Sequence, residues 1–245
     1  MTGAERFSAV CAVEAERGAS EAIGIGTYAE KRLHRILKRY AVDDASCYEI
    51  PVGSYVADVL DGRDLYEIQT GSFRTMKEKL AYYLEHTEYS IHLLHPVFET
   101  KTVIRMERET GEILRQRKTH VGGRDVDALH ELYAVGEYLC HPRVTVTILR
   151  IRAEEYRYSE RVRYRKKGAY DSELFPRELV EEVVLSERED YRRFLPEGRE
   201  SFSASEYGVC FKLKGRKLYS ALNLLCKIGL LDRRSEGRAY RYFVQ

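Results

Sequence analysis

Apolar residues fall at helical spacing in Ala29, Leu33, Ile36, Leu37 and Tyr40, which predicts a helix over about residues 31–40. Thr27 and Glu30 stand ahead of it in the S/T-x-x-E arrangement of a capping box. A strand is expected over about 47–52, with Gly53 as punctuation before a β-hairpin over 56–69. Asp61-Gly62 is the turn signal inside that hairpin. A second helix over about 74–85 turns Met76, Leu80, Tyr83 and Leu84 inward. Further on, the pattern predicts a strand at 90–96, a hairpin of 102–107 with 112–118, a helix at 126–139 and a strand at 144–152. This order gives an α/β fold, a mixed sheet covered by helices.

Residues 153–185 carry no clear period, and Arg157 to Lys167 interleaves tyrosine with arginine and lysine. That run reads as an exposed hairpin or a phosphate-facing ribbon. From Ser186 the pattern becomes compact. A short helix over 187–195 stops at Pro196 and Gly198, and Ser203 or Ser205 then caps a helix towards Phe211. In 215–229, Leu218, Ala221, Leu222, Leu225 and Ile228 form one apolar stripe. Two strands, 230–234 and 240–244, close the chain around Ser235 to Arg238. The division expected is therefore 1–152, a connecting segment 153–185, and 186–245.

With 44% hydrophobic and 33% charged residues, the chain has the composition of a folded globular protein. No apolar run reaches the roughly 18 residues that cross a bilayer, and the first residues lack a signal-peptide pattern. The five cysteines are scattered without a C-x-x-C pair, the pattern of reduced thiols in a cytoplasmic protein and not of a disulfide or zinc framework. The net charge of +2 hides an asymmetry. Residues 1–149 hold 19 Lys/Arg against 23 Asp/Glu, whereas residues 199–245 hold 10 against 4. The C-terminal segment is thus suited to a polyanion, and the first 149 residues are expected to repel one outside any metal site.

The chemistry concentrates in the first hairpin. With an Asp61-Gly62 loop, Asp58 faces Leu65 and Glu67 is its diagonal neighbour; alternation places Asp58, Glu67 and Gln69 on one face. Two carboxylates and an amide oxygen on a shared face suit a hard divalent cation, and burying both acids with no compensating partner is costly. His92 and His95 alternate on the predicted strand 90–96 and read as core or surface histidines. Lys77 and Lys79 read as solvated helix residues.

Glu30 on the first helix, Asp58 on the second strand and Glu67-Ile68-Gln69 on the third resemble the PD-(D/E)xK nuclease superfamily over roughly residues 20–150. The resemblance implies a restriction-endonuclease-like fold, with Asp58 and Glu67 holding Mg²⁺ or Mn²⁺ and Glu30 a further ligand or orienter. Glu30 also fits a capping box alone. Gln69 stands where lysine is usual, which leaves water activation mainly to the metal. A lysine from the next helix, Lys77 or Lys79, is the substitute. The last 60 residues resemble a winged helix-turn-helix domain. That resemblance implies DNA contacts from Lys212, Lys214, Arg216, Lys217, Asn223, Lys227 and Arg238, with Arg233, Arg234 and Arg241 also on the wing. The function expected is a metal-dependent deoxyribonuclease with DNA as partner, no membrane, and room for a homodimer. The alternative is an inactive nuclease-like scaffold serving as a DNA-binding regulator or protein adaptor.

Overall fold

At the N-terminus one buried acid joins the first two helices. In the computed structural model, which describes residues 2–20, 28–107, 110–159, 171–237 and 239–245, α1 spans Gly3–Ser20 and α2 spans Tyr28–Ala41. Phe7, Val10 and Cys11 of α1 are buried, and Glu14 continues the same stripe at 1% exposure. Its carboxylate meets Arg35 at 3.3 Å and Arg39 at 3.5 Å on α2. Helix α2 buries Leu33, Ile36, Leu37 and Tyr40, the stripe its sequence predicts. Phe7 and Tyr40 lock the pair edge to face, 5.4 Å between centroids. The expected Thr27 cap lies outside the described residues, as does the side chain of Glu30.

The next elements are β1 (Tyr48–Val52), β2 (Tyr55–Asp61), β3 (Asp64–Ile68), α3 (Met76–His86), β4 (Ser90–Glu107) and β5 (Ile113–His120). α4 (Leu129–Leu132) sits between the 3-10 turns Asp125–Ala128 and Tyr133–Val135, where one longer helix was expected. Gly136 ends this run at a close approach, since a Cβ there would lie 2.7 Å from Leu224. Then come β6 (Val144–Ser159), β7 (Asp171–Leu185), a 3-10 turn Arg188–Phe194, β8 (Ser201–Ser203), α5 (Ala204–Cys210), α6 (Gly215–Lys227), β9 (Leu231–Glu236) and β10 (Ala239–Val244). Residues 153–159 and 171–185, read from the sequence as a connection, lie in β6 and β7; residues 160–170 fall outside the described residues.

The fold is mixed α/β, a large mixed sheet flanked by helices. Among the described residues seven strands pair in the order β1-β2-β3-β4-β6-β7, with β5 on β4. β3 and β4 run parallel, whereas β2–β3 and β4–β5 are antiparallel. A separate three-stranded sheet has the order β8-β10-β9. No described helix is long and apolar enough to cross a membrane.

Two compact units divide the chain. The first comprises Met1–Tyr48, Pro96–Gly123 and Leu149–Glu182; the second comprises Glu49–His95, Arg124–Ile148 and Val183–Gln245. The first unit holds the α1–α2 pair and a sheet portion rich in ion pairs, including Arg152 with Glu99 and Glu178. The second is centred on the β2–β3 hairpin, α3 and the C-terminal elements. Its core includes Leu65, Phe73, Leu80, Leu132, Phe202, Leu222 and Leu225, all essentially inaccessible to solvent.

Candidate functional site

The β2–β3 hairpin turns one step later than its sequence suggested. Val59 pairs with Tyr66, Leu60 with Leu65 and Asp61 with Asp64, so the loop is Gly62-Arg63 and not Asp61-Gly62. Gly62 has φ +59°, and glycine at the first of two loop positions is the II′ arrangement, which twists with the strands. The two-residue shift preserves the faces but changes the partner. Continuing the register puts Glu67, and not Leu65, opposite Asp58. The main-chain ladder gives way there, and the Ile68 amide donates to Asp58 Oδ2 at 2.8 Å.

Glu67 is 1% exposed on this face. Both of its oxygens are engaged by α3: Lys79 Nζ donates to Oε2 at 2.6 Å and Tyr83 Oη to Oε1 at 3.2 Å. Lys79 and Tyr83 are four residues apart and therefore lie on one helix face. Tyr83 packs against Tyr55 of β2, 6.1 Å between centroids. Burial pushes the Glu67 carboxyl up to about 7; the attraction of Lys79 opposes this shift, while Asp58 reinforces it. Burial and the Glu67 charge push the Tyr83 phenol upward, so it stays protonated and remains the donor.

The remaining expected residues are placed as follows. Gln69 directs its amide nitrogen to the Ser72 carbonyl at 2.6 Å and its backbone carbonyl to His95 Nδ1 at 2.7 Å. Burial lowers the His95 pKa, which keeps the ring neutral and donating from Nδ1. His92 stacks on Tyr66 and meets Asp64 at 2.9 Å, so each histidine has its own partner. Lys77 is drawn away to Glu137 at 3.0 Å, and Lys227 reaches the same carboxylate at 3.1 Å. Those two ammonium groups hold Glu137 down at about 2.

In the C-terminal region, Lys212, Lys214 and Arg216 are exposed and Asn223 is half-buried, while Arg238 lies outside the described residues. Lys217 bonds Asp127 at 3.2 Å. The face of α6 that carries Lys217, Ser220 and Lys227 is thus turned to residues 127–137, with Ser220 against His130 at 3.0 Å. On the final hairpin, Arg233 lies over Tyr240 and Arg234 over Phe243, each 4.6 Å from the ring centroid.

The constellation is therefore Asp58, Glu67, Lys79 and Tyr83. Tyr83 was read from sequence only as an inward apolar residue; its i,i+4 relation to Lys79 was the available signal. Residues 31–186 match a protein-family model described as a domain of unknown function (DUF8091). The chain belongs to the DUF8091 family. No curated protein and no solved structure matches it. All four residues of the constellation lie inside the DUF8091 segment, whereas β8 to β10 and both C-terminal helices follow it. Among the described residues of this DUF8091 chain, no group of three or more His, Cys, Asp or Glu side chains is gathered for a metal. The carboxylates on offer to a cation on this face are those of Asp58 and Glu67, and both Glu67 oxygens already accept from Lys79 and Tyr83.

Proposed function

We propose that this chain hydrolyses phosphodiester bonds of DNA with a divalent cation, using a lysine supplied by α3. The observation that supports the reading most is the 2.6 Å contact between Lys79 Nζ and Glu67, on the strand opposite Asp58. It places two carboxylates and one ammonium together although Gln69 replaces the usual motif lysine. Asp58 and Glu67 would hold Mg²⁺ or Mn²⁺, which when bound supplies charge neutralisation at phosphate and a more acidic water. Lys79 holds positive charge beside that position, where it can orient an incoming water or phosphate oxygen. Tyr83 fixes the second Glu67 oxygen. In the reaction a water oxygen forms a bond to phosphorus and releases a proton, the bond to the leaving oxygen breaks, and that oxygen takes up a proton, so that one water is divided between the two products.

The C-terminal elements add a DNA-binding reading. A helical turn, a strand, two helices and a hairpin, with the sheet order β8-β10-β9, suit a winged helix. Arg216 and Asn223 on α6, together with Lys212 and Lys214 ahead of it, are the residues proposed to meet DNA.

The test is incubation of the purified full chain with single-stranded, branched and duplex DNA in Mg²⁺ or Mn²⁺. Asp58→Asn and Lys79→Met are each expected to slow cleavage about 100-fold or more, equivalent to about 3 kcal/mol of transition-state stabilisation. Absence of cleavage by the wild type, with unchanged Mn²⁺ titration in the Asp58→Asn variant, would overturn the proposal. A second reading rests on the engagement of both Glu67 oxygens: the cluster then serves as a buried polar clamp in an inactive scaffold that regulates through DNA binding.

A further inference from the structure

We infer that the cleft formed by β4, β5 and β6 in the first unit binds a single strand of nucleic acid through its phosphates. The cleft measures about 290 Å³, and among the described residues its charged lining consists of Lys101, Arg105, Arg115, Arg117, Arg157 and Glu155. Five of these are cations and one is an acid. The acid is already shared, since Arg157 Nε donates to Glu155 at 2.7 Å.

The register concentrates this charge on one face. Lys101 pairs with Thr119, Val103 with Arg117 and Arg105 with Arg115. Side chains two residues apart on a strand share a face, so Lys101 and Arg105 line the cleft from β4 while Arg115 and Arg117 line it from β5. Arg105 and Arg115 are directly opposite each other, so two guanidinium side chains stand side by side on the cleft face. The pairing register shifts between Arg105 and Met106, where Met106 pairs with Ile113, so the regular ladder of the charged face ends at the Arg105–Arg115 pair.

The spacing favours a strand over a compact anion. Residues i and i+2 stand about 6.7 Å apart along a β-strand, comparable to the step between consecutive phosphates of an extended single strand. Among the described residues the cleft is lined by cationic, aliphatic and threonine side chains and Glu155, which suits contact with phosphates more than stacking on bases. Within the negative balance of residues 1–149, Lys101, Arg105, Arg115 and Arg117 thus form a locally basic face. This inference does not rest on catalysis at Asp58 and Glu67, and its test excludes the metal.

The measurement is fluorescence anisotropy of a labelled single-stranded DNA of about 20 nucleotides, titrated with the full chain in EDTA at several salt concentrations. The double variant Arg115→Ala/Arg117→Ala is expected to bind about tenfold more weakly or worse at low salt. Its plot of log K against log salt should flatten by up to about 1.4, at about 0.7 per phosphate contact on a single strand. Arg115→Lys/Arg117→Lys retains the charge and should retain most of the affinity. Circular dichroism confirms that each variant is folded, and Lys101→Gln on the neighbouring strand gives an independent loss in the same direction. Wild-type affinity and slope in both the double alanine variant and Lys101→Gln would overturn the inference and leave the β5 cations as guards against edge-to-edge pairing. Displacement of the strand by inorganic triphosphate at the strand's own concentration would also overturn it, because the site would then take a compact polyphosphate.

Discussion

At the residue scale, Glu67 connects the hairpin to α3 and titrates in an unusual range. Its folded carboxyl holds a proton up to about 7, against an ordinary value of 4.5. Between those limits the native state binds more protons than the unfolded chain, so the Glu67 contribution makes stability fall as pH rises. The loss is on the order of 3 kcal/mol across the window. Urea unfolding at about pH 5 and about pH 8 should show it, and Glu67→Gln should flatten the difference. An unchanged pH dependence in that variant would locate the effect elsewhere. Asp58 and Glu67 were legible in the sequence because two acids interrupt an apolar hairpin. Tyr83 was hidden because a phenol at an inward helical position looks like any other core aromatic. The direction of the Gln69 amide was hidden too, since it depends on where the Ser72 carbonyl falls in the loop.

At the element scale, strongly periodic segments were the legible ones. α2, α3 and α6 formed where their stripes predicted, and both early hairpins formed. α1 was missed because Glu14 occupies the fourth place of the stripe Phe7, Val10, Cys11, and its arginine partners sit on α2, far away in the sequence. β7 was obscured because its buried Phe175, Leu179 and Val183 are four residues apart, which mimics a helix. The hairpin register escaped because Asp-Gly and Gly-Arg are both plausible two-residue loops, and the turns they form, I′ and II′, both twist with the flanking strands. Turn geometry elsewhere in this region gives a sharp test. Gly53 has φ +59°, and a Cβ built there would stand 1.8 Å from Tyr82 Oη. Gly53→Ala therefore combines left-handed strain of about 1–2 kcal/mol with displacement of a ring that packs on Tyr55 at 5.2 Å. The variant should lose at least about 2 kcal/mol in denaturant unfolding. Tyr82→Phe in the same background should recover part of that loss, because it removes the crowding oxygen. No recovery would place the cost on backbone strain and on the ring carbons, which the added Cβ would still meet at 2.6 and 2.8 Å.

At the scale of the whole molecule, the chain passes between its two compact units five times, at 48/49, 95/96, 123/124, 148/149 and 182/183. Unfolding one unit releases segments whose ends remain fixed in the other, so neither can gain the full conformational entropy of a free chain while its neighbour persists. Far-ultraviolet circular dichroism and tyrosine fluorescence should therefore report a single coincident unfolding transition. Two resolved transitions would show that the units unfold independently despite the shared chain. The same path bears on heredity. A domain encoded by one uninterrupted stretch can be copied, fused or lost in a single exchange, but here any one breakpoint between residues 49 and 182 leaves fragments of both units on each side. The stretch that bears Asp58, Glu67 and Lys79 can change by substitution or by exchange of short loops, whereas its transfer as a ready-made cassette would carry only part of the scaffold that holds it.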